Sequence, residues 1–134
     1  MDDYDRGGHT KYCMMIHIIF VTKYRKNIFT KEDVSNFVKN SLFITAQKYG
    51  YLITQIETDK DHVHLLVRYK PSTSVSIIAG QLKQHSTYHM WKYCSKILSK
   101  HYWKRSVLWS DGFFACSIGQ VSKETIEKYI QSQG

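Results

Sequence analysis

The clearest hydrophobic pattern in the chain is the alternation of apolar and polar residues over His62–Tyr69. This period of two predicts a strand that buries Val63, Leu65 and Val67 on one face. Three further segments are rich in apolar or β-branched residues and predict strands, at residues 12–22, 51–58 and 112–118. Because a short turn at Lys60-Asp61 connects the second and third strands, we expect these two strands to form a hairpin.

Apolar residues recur at helical spacing in residues 30–49 and 74–91, so that two long helices are predicted there. Thr30 is the expected N-cap of the first helix, and Gly50 is its expected C-terminal stop. A last helix is predicted after Ser122, because Val121 and Ile126 have the spacing of a hydrophobic staple. Residues 92–109 mix lysines with aromatic residues and give no clear secondary-structure prediction.

The predicted order is strand, helix, strand, strand, helix, strand, helix. The first six elements match the split β-α-β order of a ferredoxin-like fold. We therefore expect an α+β protein with a ferredoxin-like (RRM-like) antiparallel sheet, two helices on one face and an added C-terminal helix. A single domain over residues 1–134 is expected, with residues 1–11 as a flexible tail and residues 120–134 as the final helix.

The net charge of +8 favours a polyanionic partner. A membrane partner is disfavoured because the longest apolar runs are far shorter than the roughly 20 residues that span a bilayer. The N-terminus lacks the pattern of a secretory signal, so the expected location is the cytoplasm. Three cysteines without Cys-x-x-Cys spacing argue against a disulfide framework or a thiolate zinc site, and Cys13 and Cys116 are expected to be buried free thiols.

His62 and His64 are the first candidate chemical groups. On a strand they point to the same face, and two imidazoles at this spacing can bind one metal ion. Alternatively, they are two structural histidines on a half-exposed strand. Asp61 is either a hydrogen-bond partner that orients a ligand histidine or an ordinary turn residue. His17 could border this site, although a core histidine with satisfied hydrogen bonds is the favoured interpretation.

Tyr129 and Gln133 form the second candidate pair. They are four residues apart on the last predicted helix and therefore share a face. A tyrosine beside a metal ion is a candidate nucleophile, and a glutamine oxygen can complete a two-histidine metal site. The alternative is a surface tyrosine on a frayed terminal helix.

Basic and aromatic residues are interleaved in two segments, residues 23–26 and 92–109. Basic side chains neutralise phosphates and aromatic rings stack on unpaired bases, which favours single-stranded nucleic acid. The alternative is a solvated lysine surface beside core aromatics, and core packing is the favoured role of Trp109. Five side chains are candidate DNA contacts: Lys23, Arg25, Lys83, Lys104 and Arg105.

Several of these patches, in this order, resemble the single-tyrosine HUH transposases of bacterial and archaeal insertion sequences. They are residues 17–25 (HIIFVTKYR), 61–66 (DHVHLL), Leu82-Lys83 with Ser86, 108–114 (LWSDGFF), 118–122 (IGQVS) and 129–133 (YIQSQ). One patch is modest evidence, whereas the ordered set over nearly the whole chain is highly specific.

The resemblance implies that His62, Val63 and His64 are the HUH motif, that Tyr129 is the catalytic nucleophile, and that Gln133 completes the metal site. It implies Mg²⁺ or Mn²⁺ as cofactor and no nucleotide cofactor. The implied substrate is single-stranded DNA with subterminal hairpins, cut through a 5′-phosphotyrosine intermediate. Similar transposases are homodimers in which the tyrosine helix of one subunit can complete the site of the other, and Gly119 would permit that movement.

Two other functions remain open from the sequence. An RRM-like module could bind nucleic acid without cutting it, although the His and Tyr129/Gln133 pairs would then lack a shared purpose. A replication or mobilisation nickase of the HUH class would use the same chemistry, and the short chain favours transposition over it.

Overall fold

The four strands form one antiparallel sheet in the order β2-β3-β1-β4. The computed structural model describes residues 14–117 and 123–133. The strands are β1 (Met14–Val21), β2 (Leu52–Asp59), β3 (His62–Tyr69) and β4 (Phe114–Ser117). This strand order confirms the predicted ferredoxin-like fold, in which the first and third strands are central.

The central pair β1 and β3 carries the core. Val63, Leu65 and Val67 are fully buried, whereas the residues between them on β3 are half-buried. The antiparallel register places Phe20 opposite Val63 and Ile18 opposite Leu65. Since side chains alternate along each strand, one face of the sheet is continuously apolar and packs against helices.

The helices α1 (Glu32–Tyr49) and α2 (Val75–Tyr93) both cover that apolar face. Val38 and Leu42 of α1 and Ile78 and Leu82 of α2 are completely buried there. Helix α3 (Ser95–Ser99) follows α2 and contributes Leu98 to the same core. The two long helices therefore bury their apolar stripes on the sheet, as their spacing predicted.

The ends of the long helices agree only partly with prediction. Ser74 caps α2, since its side chain accepts a hydrogen bond from the Ile77 amide, and Gly50 ends α1 in the left-handed region. The prediction of Thr30 as N-cap is wrong, because α1 begins later and Lys31 occupies that position without a side-chain cap. Asp33, inside the first turn, accepts a hydrogen bond from the Val34 amide instead.

The other face of the sheet is covered by α4 (Lys123–Ser132). Ile130 of α4 packs against Ile19 and Val21 of β1, and this small cluster is separate from the main core. The predicted tail over residues 1–11, the hinge Gly119 and the capping pair Val121 and Ser122 lie outside the described residues. Among the residues that are described, no helix has the length and apolar character needed to cross a membrane.

Residues 92–109, which gave no clear secondary-structure prediction, are anchored near their end by two aromatic side chains. The Trp109 indole is buried and donates a hydrogen bond of 2.9 Å to the Ser86 hydroxyl, which confirms its predicted packing role. The buried Tyr102 hydroxyl donates to the Lys23 carbonyl at 2.8 Å. Beyond the end of α2 and the short helix α3, individual contacts of this kind rather than a regular helix or strand hold the segment, so it has little periodicity.

Two glycines give opposite expectations for stability. Gly50 has φ of 84° and an added Cβ would meet nothing within 4 Å, so only backbone strain opposes Gly50→Ala. Gly80 lies inside α2 and its Cβ would also meet open space. We expect Gly50→Ala to lower the free energy of unfolding by about 1 kcal/mol. Gly80→Ala should raise it by up to about 1 kcal/mol, and urea denaturation measures both. Equal changes in the free energy of unfolding for Gly50→Ala and Gly80→Ala would contradict these expectations.

Candidate active site

His62 and His64 lie side by side on the sheet face that α4 covers. Their register partners on β1 are Val21 and Ile19, which belong to the small core under α4. Both histidines are half-buried. The period of two therefore produces the arrangement predicted from the sequence, since both imidazoles are on the face opposite the main core.

A carboxylate orients the first histidine. The His62 Nδ1 is 2.9 Å from Asp61 Oδ1, and an ionised carboxylate can only accept, so Nδ1 carries the proton. The Nε2 of His62 is then the nitrogen with a free lone pair. Arg25 lies on the other side of the carboxylate, with its Nε donating to Asp61 Oδ2 at 3.4 Å. Asp61 thus has the orienting geometry that was one of its two sequence interpretations.

A third histidine reaches the same place from the neighbouring strand. His17 Nδ1 lies 2.9 Å from His64 Nε2, so that one of these nitrogens donates to the other. His17 therefore borders the site, which was the less favoured of its two sequence interpretations. Its signal was available in the sequence: His17, Ile19 and Val21 alternate on β1 and must share a face.

Burial lowers the pKa of His64, and the neighbouring His17 lowers it further. His64 is consequently neutral at pH 7. Because His17 engages its Nε2, the lone pair that His64 can offer a metal ion is on Nδ1, with Nε2 donating to His17. Among the described residues, no group of three or more histidine, cysteine, aspartate or glutamate side chains is arranged to hold a metal ion. A third ligand for the histidine pair would have to be another type of side chain or a group outside these ranges.

Tyr129 lies on the inner side of α4, and its ring centroid is 5.3 Å from that of Phe114 on β4. Burial raises the pKa of the Tyr129 phenol above its ordinary value. The hydroxyl is therefore protonated at neutral pH and requires help from a cation or a base to become a nucleophile.

Gln133 follows the last residue of α4. Its amide nitrogen donates to Ile130 O at 3.1 Å, and its side-chain Nε2 donates to the Ser132 hydroxyl at 3.1 Å. None of its described hydrogen bonds involves a histidine, so its role as a metal ligand stays a prediction.

A groove of about 590 Å³ separates α4 from the turn that follows β1. Its walls contain His62 and Asp61 on one side and Glu127 and Gln131 of α4 on the other. Neither Glu127 nor Gln131 was predicted as a site residue, although they are four residues apart and share a helix face. The complete lining is Tyr24, Arg25, Asn27, Lys60, Asp61, His62, Glu127, Ile130 and Gln131.

The candidate DNA contacts have different surroundings. Lys83 Nζ donates to the carbonyls of Ser110 and Gly112, each at 2.9 Å, and thereby ties α2 to the loop before β4. Burial lowers its pKa, although Asp111 acts in the opposite direction. Lys83 therefore has a structural function whether or not it also contacts a phosphate.

The other basic candidates lie nearer the surface. Lys23 Nζ is 3.7 Å from Asp111 Oδ1, and Arg25 is paired with Asp61. Arg105 lies over the Trp91 ring, 5.3 Å from its centroid, and Lys104 is exposed. The two basic segments of the sequence are joined in space through Tyr102, whose ring centroid is 6.5 Å from that of Tyr24.

Comparison with known proteins identifies the family. The family model described as "Transposase IS200 like" matches residues 10–133, which is nearly the whole chain. The chain belongs to the IS200-like transposase family. Two curated relatives, the transposases for insertion sequence element IS200 of Salmonella typhimurium and Salmonella typhi, are each 27% identical to it over 133 residues. Each match covers 99% of this chain and 85% of the relative.

Solved structures agree with the fold of this transposase-family chain. The crystal structure of a candidate transposase from Deinococcus radiodurans R1 has a TM-score of 0.84 at 25% identity, and the match covers 99% of this chain and 98% of that one. A REP-associated tyrosine transposase bound to a REP hairpin has a TM-score of 0.56 at 12% identity, covering 97% and 68%. The second likeness concerns the fold alone.

Cysteine placement differs in part from expectation. Cys116 is a free thiol on β4 and is half-buried rather than buried, while Cys94 is also free and half-buried. Cys13 lies outside the described residues. Burial raises the pKa of both described thiols, so they are protonated at neutral pH.

The lowered pKa values of three histidines make the stability of the fold depend on pH. Burial is the main cause that lowers the pKa of His64, His89 and His101 below the ordinary value of 6.5. Below pH 6.5 the unfolded chain therefore binds more protons than the folded protein. The stability from these neutral histidines is fully present above that pH and is lost as the pH falls through their folded pKa values.

We expect the free energy of unfolding, measured by urea denaturation, to decrease between about pH 7.5 and about pH 5.5. The decrease should be smaller in the His64→Asn protein, which lacks one of the titrating groups. A stability that is constant or rises on acidification in this range would show that burial does not hold these imidazoles neutral.

Proposed function

We propose that this protein is a metal-dependent single-strand DNA transposase that nicks and rejoins DNA through a 5′-phosphotyrosine intermediate and recognises subterminal hairpins. One observation carries the proposal: in an IS200-like transposase chain, the paired histidines lie on the sheet face that is covered by the helix bearing Tyr129. Neither a surface-tyrosine interpretation nor a pair of isolated structural histidines accounts for this shared face.

The donor atoms of the histidine pair fit a divalent cation. Asp61 fixes the proton of His62 on Nδ1, and the lowered pKa of His64 keeps that imidazole neutral, as a metal ligand must be. We propose that His62 and His64 hold Mg²⁺ or Mn²⁺ and that Gln133 supplies a third, neutral oxygen ligand. The bound cation would polarise the scissile phosphate as a Lewis acid.

Tyr129 is proposed to attack the scissile phosphorus through its phenol oxygen. The new bond joins this oxygen to phosphorus, the bond from phosphorus to the 3′-oxygen breaks, and the phenol proton ends on the departing 3′-hydroxyl. The phosphodiester energy is retained in the tyrosine ester, so a 3′-hydroxyl of another strand can reverse the step and join DNA without a nucleotide cofactor. Because burial raises the pKa of the Tyr129 phenol, a cation held by His62 and His64 would assist the loss of its proton.

We further propose that the protein acts as a homodimer whose active sites can be completed in trans. Helix α4 is held to its own sheet by a small contact set, with Ile130 buried and Ile126 and Tyr129 only partly buried. Separating α4 from the sheet would require less free energy than disrupting the main core, so the helix could instead engage a partner subunit.

Single-stranded hairpin DNA is the proposed substrate. The net charge of +8 favours a polyanion, and the structural neighbour bound to a REP hairpin shares the fold. The exposed Lys104 and the surface side chains of Lys23, Arg25 and Arg105 are the proposed phosphate contacts, with Lys83 contributing only if its carbonyl partners are partly released.

The first test is adduct formation. Purified protein is incubated with Mg²⁺ or Mn²⁺ and 5′- or 3′-labelled hairpin DNA from its own locus, and the products are separated on a denaturing gel. We expect a covalent protein–DNA band that disappears without metal and in the Tyr129→Phe and His64→Ala proteins. Tyr93→Phe, at an exposed tyrosine remote from the histidines, is the matched control and should retain the band.

Mixing the two inactive proteins tests assembly in trans. If the tyrosine helix completes the partner's site, Tyr129→Phe and His64→Ala subunits together should regain part of the adduct. No adduct from the mixture, with full activity of the unchanged protein, would confine each site to one subunit. DNA binding by every protein with no adduct from any of them would favour the RRM-like binding module instead.

The orienting carboxylate gives a separate prediction. Asp61→Asn removes the charge that holds the His62 proton on Nδ1, so the affinity for Mn²⁺, measured by titration calorimetry, should fall roughly 10- to 100-fold. Asp59→Asn is the matched control, since among the described residues Asp59 accepts a hydrogen bond from the Lys60 amide and makes none to His62. A similar fall in both variants would mean that the turn, rather than His62 orientation, controls metal affinity.

A further inference from the structure

The turn after β1 holds two consecutive residues in the left-handed backbone region. Tyr24 has φ of 59° and Arg25 has φ of 51°, and they are the non-glycine residues with positive φ in the described part of the chain. This conformation is unfavourable for a residue with a Cβ, particularly a bulky one. Backbone strain of this kind persists where the surroundings impose it, and it is concentrated at binding and catalytic sites.

Hydrogen bonds on both sides impose the conformation. The fully buried Thr22 donates from its hydroxyl to Lys26 O at 2.7 Å, and its amide donates to Asp61 O at 2.9 Å. Lys23 donates its amide to Leu108 O at 2.8 Å. The turn is therefore fastened both to the hairpin that carries the histidines and to the loop before β4.

The strained turn presents an aromatic ring that the fold does not use. The Tyr24 side chain is 64% exposed, and within the described residues its hydroxyl makes no hydrogen bond. Its ring approaches only Tyr102 and the Lys23 ammonium, which is 5.6 Å from the ring centroid. A solvated tyrosine in a costly backbone conformation contributes little to stability, so another role must explain its position.

That ring lines the groove that runs to His62 and α4. Two basic residues, Arg25 and Lys60, and two acidic residues, Asp61 and Glu127, also line the groove, so its charge is close to balanced. With balanced charge, these walls alone favour a phosphate only weakly, whereas the aromatic ring of Tyr24 favours a flat base. Arg25, a proposed phosphate contact, lines the groove but is paired with Asp61, and Lys23 is not among the lining residues.

We propose that Tyr24 is a stacking platform for one unpaired nucleobase that flanks the phosphate held at the His62–His64 site. Stacking on this ring would fix the direction in which the single strand leaves the site, and it would make Tyr24 a determinant of where the strand is cut. This inference rests on the proposed function, because it requires a single-stranded DNA substrate.

The test measures binding of hairpin DNA with a single-stranded flank, by fluorescence anisotropy, in a Tyr129→Phe background that cannot cleave it. We expect Tyr24→Asn to weaken binding about tenfold and Tyr24→Phe, which keeps the ring, to change it less than about twofold. Phe43→Asn is the matched control, because Phe43 is an aromatic residue that is 41% exposed and lies on α1, which covers the other face of the sheet. It should leave binding unchanged.

Abasic DNA identifies the contacted base. Removing one flanking base should weaken binding to the protein that retains Tyr24, and the same removal should have no effect on the Tyr24→Asn protein. Asn tolerates the left-handed region better than other residues with a Cβ, so the urea midpoint of Tyr24→Asn should be unchanged or higher. Lower stability of this variant together with weaker binding would assign Tyr24 a structural role and overturn the proposal.

Other results also overturn it. Equal binding by Tyr24→Asn, or an abasic penalty that is the same with and without the ring, would exclude stacking. If the unchanged protein forms the adduct but the abasic penalty never depends on Tyr24, only this inference is refuted. If the penalty depends on Tyr24 but no adduct forms, the proposed reaction is refuted and the stacking contact stands. If the unchanged protein does not bind the DNA, both are refuted.

Discussion

The alternation of side chains along β3 is the constraint on which the site depends. Val63, Leu65 and Val67 are completely buried against the two long helices, so β3 cannot shift by one residue without exposing them to water. Burial of these three apolar side chains contributes several kcal/mol, at roughly 1.5–3 kcal/mol each. The same register fixes His62 and His64 on the opposite face, and core packing thereby positions the candidate metal ligands.

A second level of positioning comes from the ends of the strands rather than from their faces. The Asp61 carbonyl accepts from the Thr22 amide at 2.9 Å, so the hairpin turn and the end of β1 are joined through the main chain. The Asp61 carboxylate, in turn, lies between His62 and Arg25. One residue therefore links the hairpin that carries a ligand to the turn that forms a groove wall.

The two faces of the sheet differ in how firmly they are covered. The helix face holds the main core, whereas the histidine face has a small apolar cluster around Ile130 and several half-buried polar groups. Low burial lowers stability, but it leaves the imidazoles accessible, and the small contact under α4 is the basis for the proposed exchange of this helix between subunits.

The sequence by itself determined the fold class, the strand order and the shared face of His62 and His64. These features follow from local periods of two and of about 3.6 residues, and such periods can be read along a chain. The candidate pair Tyr129 and Gln133 could be named from helical spacing, although spacing does not reveal what either side chain touches. Ser74 and Gly50 were readable as helix ends for the same local reason.

Only the tertiary structure decided which separate segments meet. It placed His17 at 2.9 Å from His64, joined Arg25 to Asp61, and brought Glu127 and Gln131 to the groove beside His62. In the tertiary structure, α1 also begins after Thr30, and Tyr24 adopts a left-handed backbone conformation. The physical reason is common to all of these: each depends on hydrogen bonds or packing between residues far apart in sequence, which no local pattern encodes.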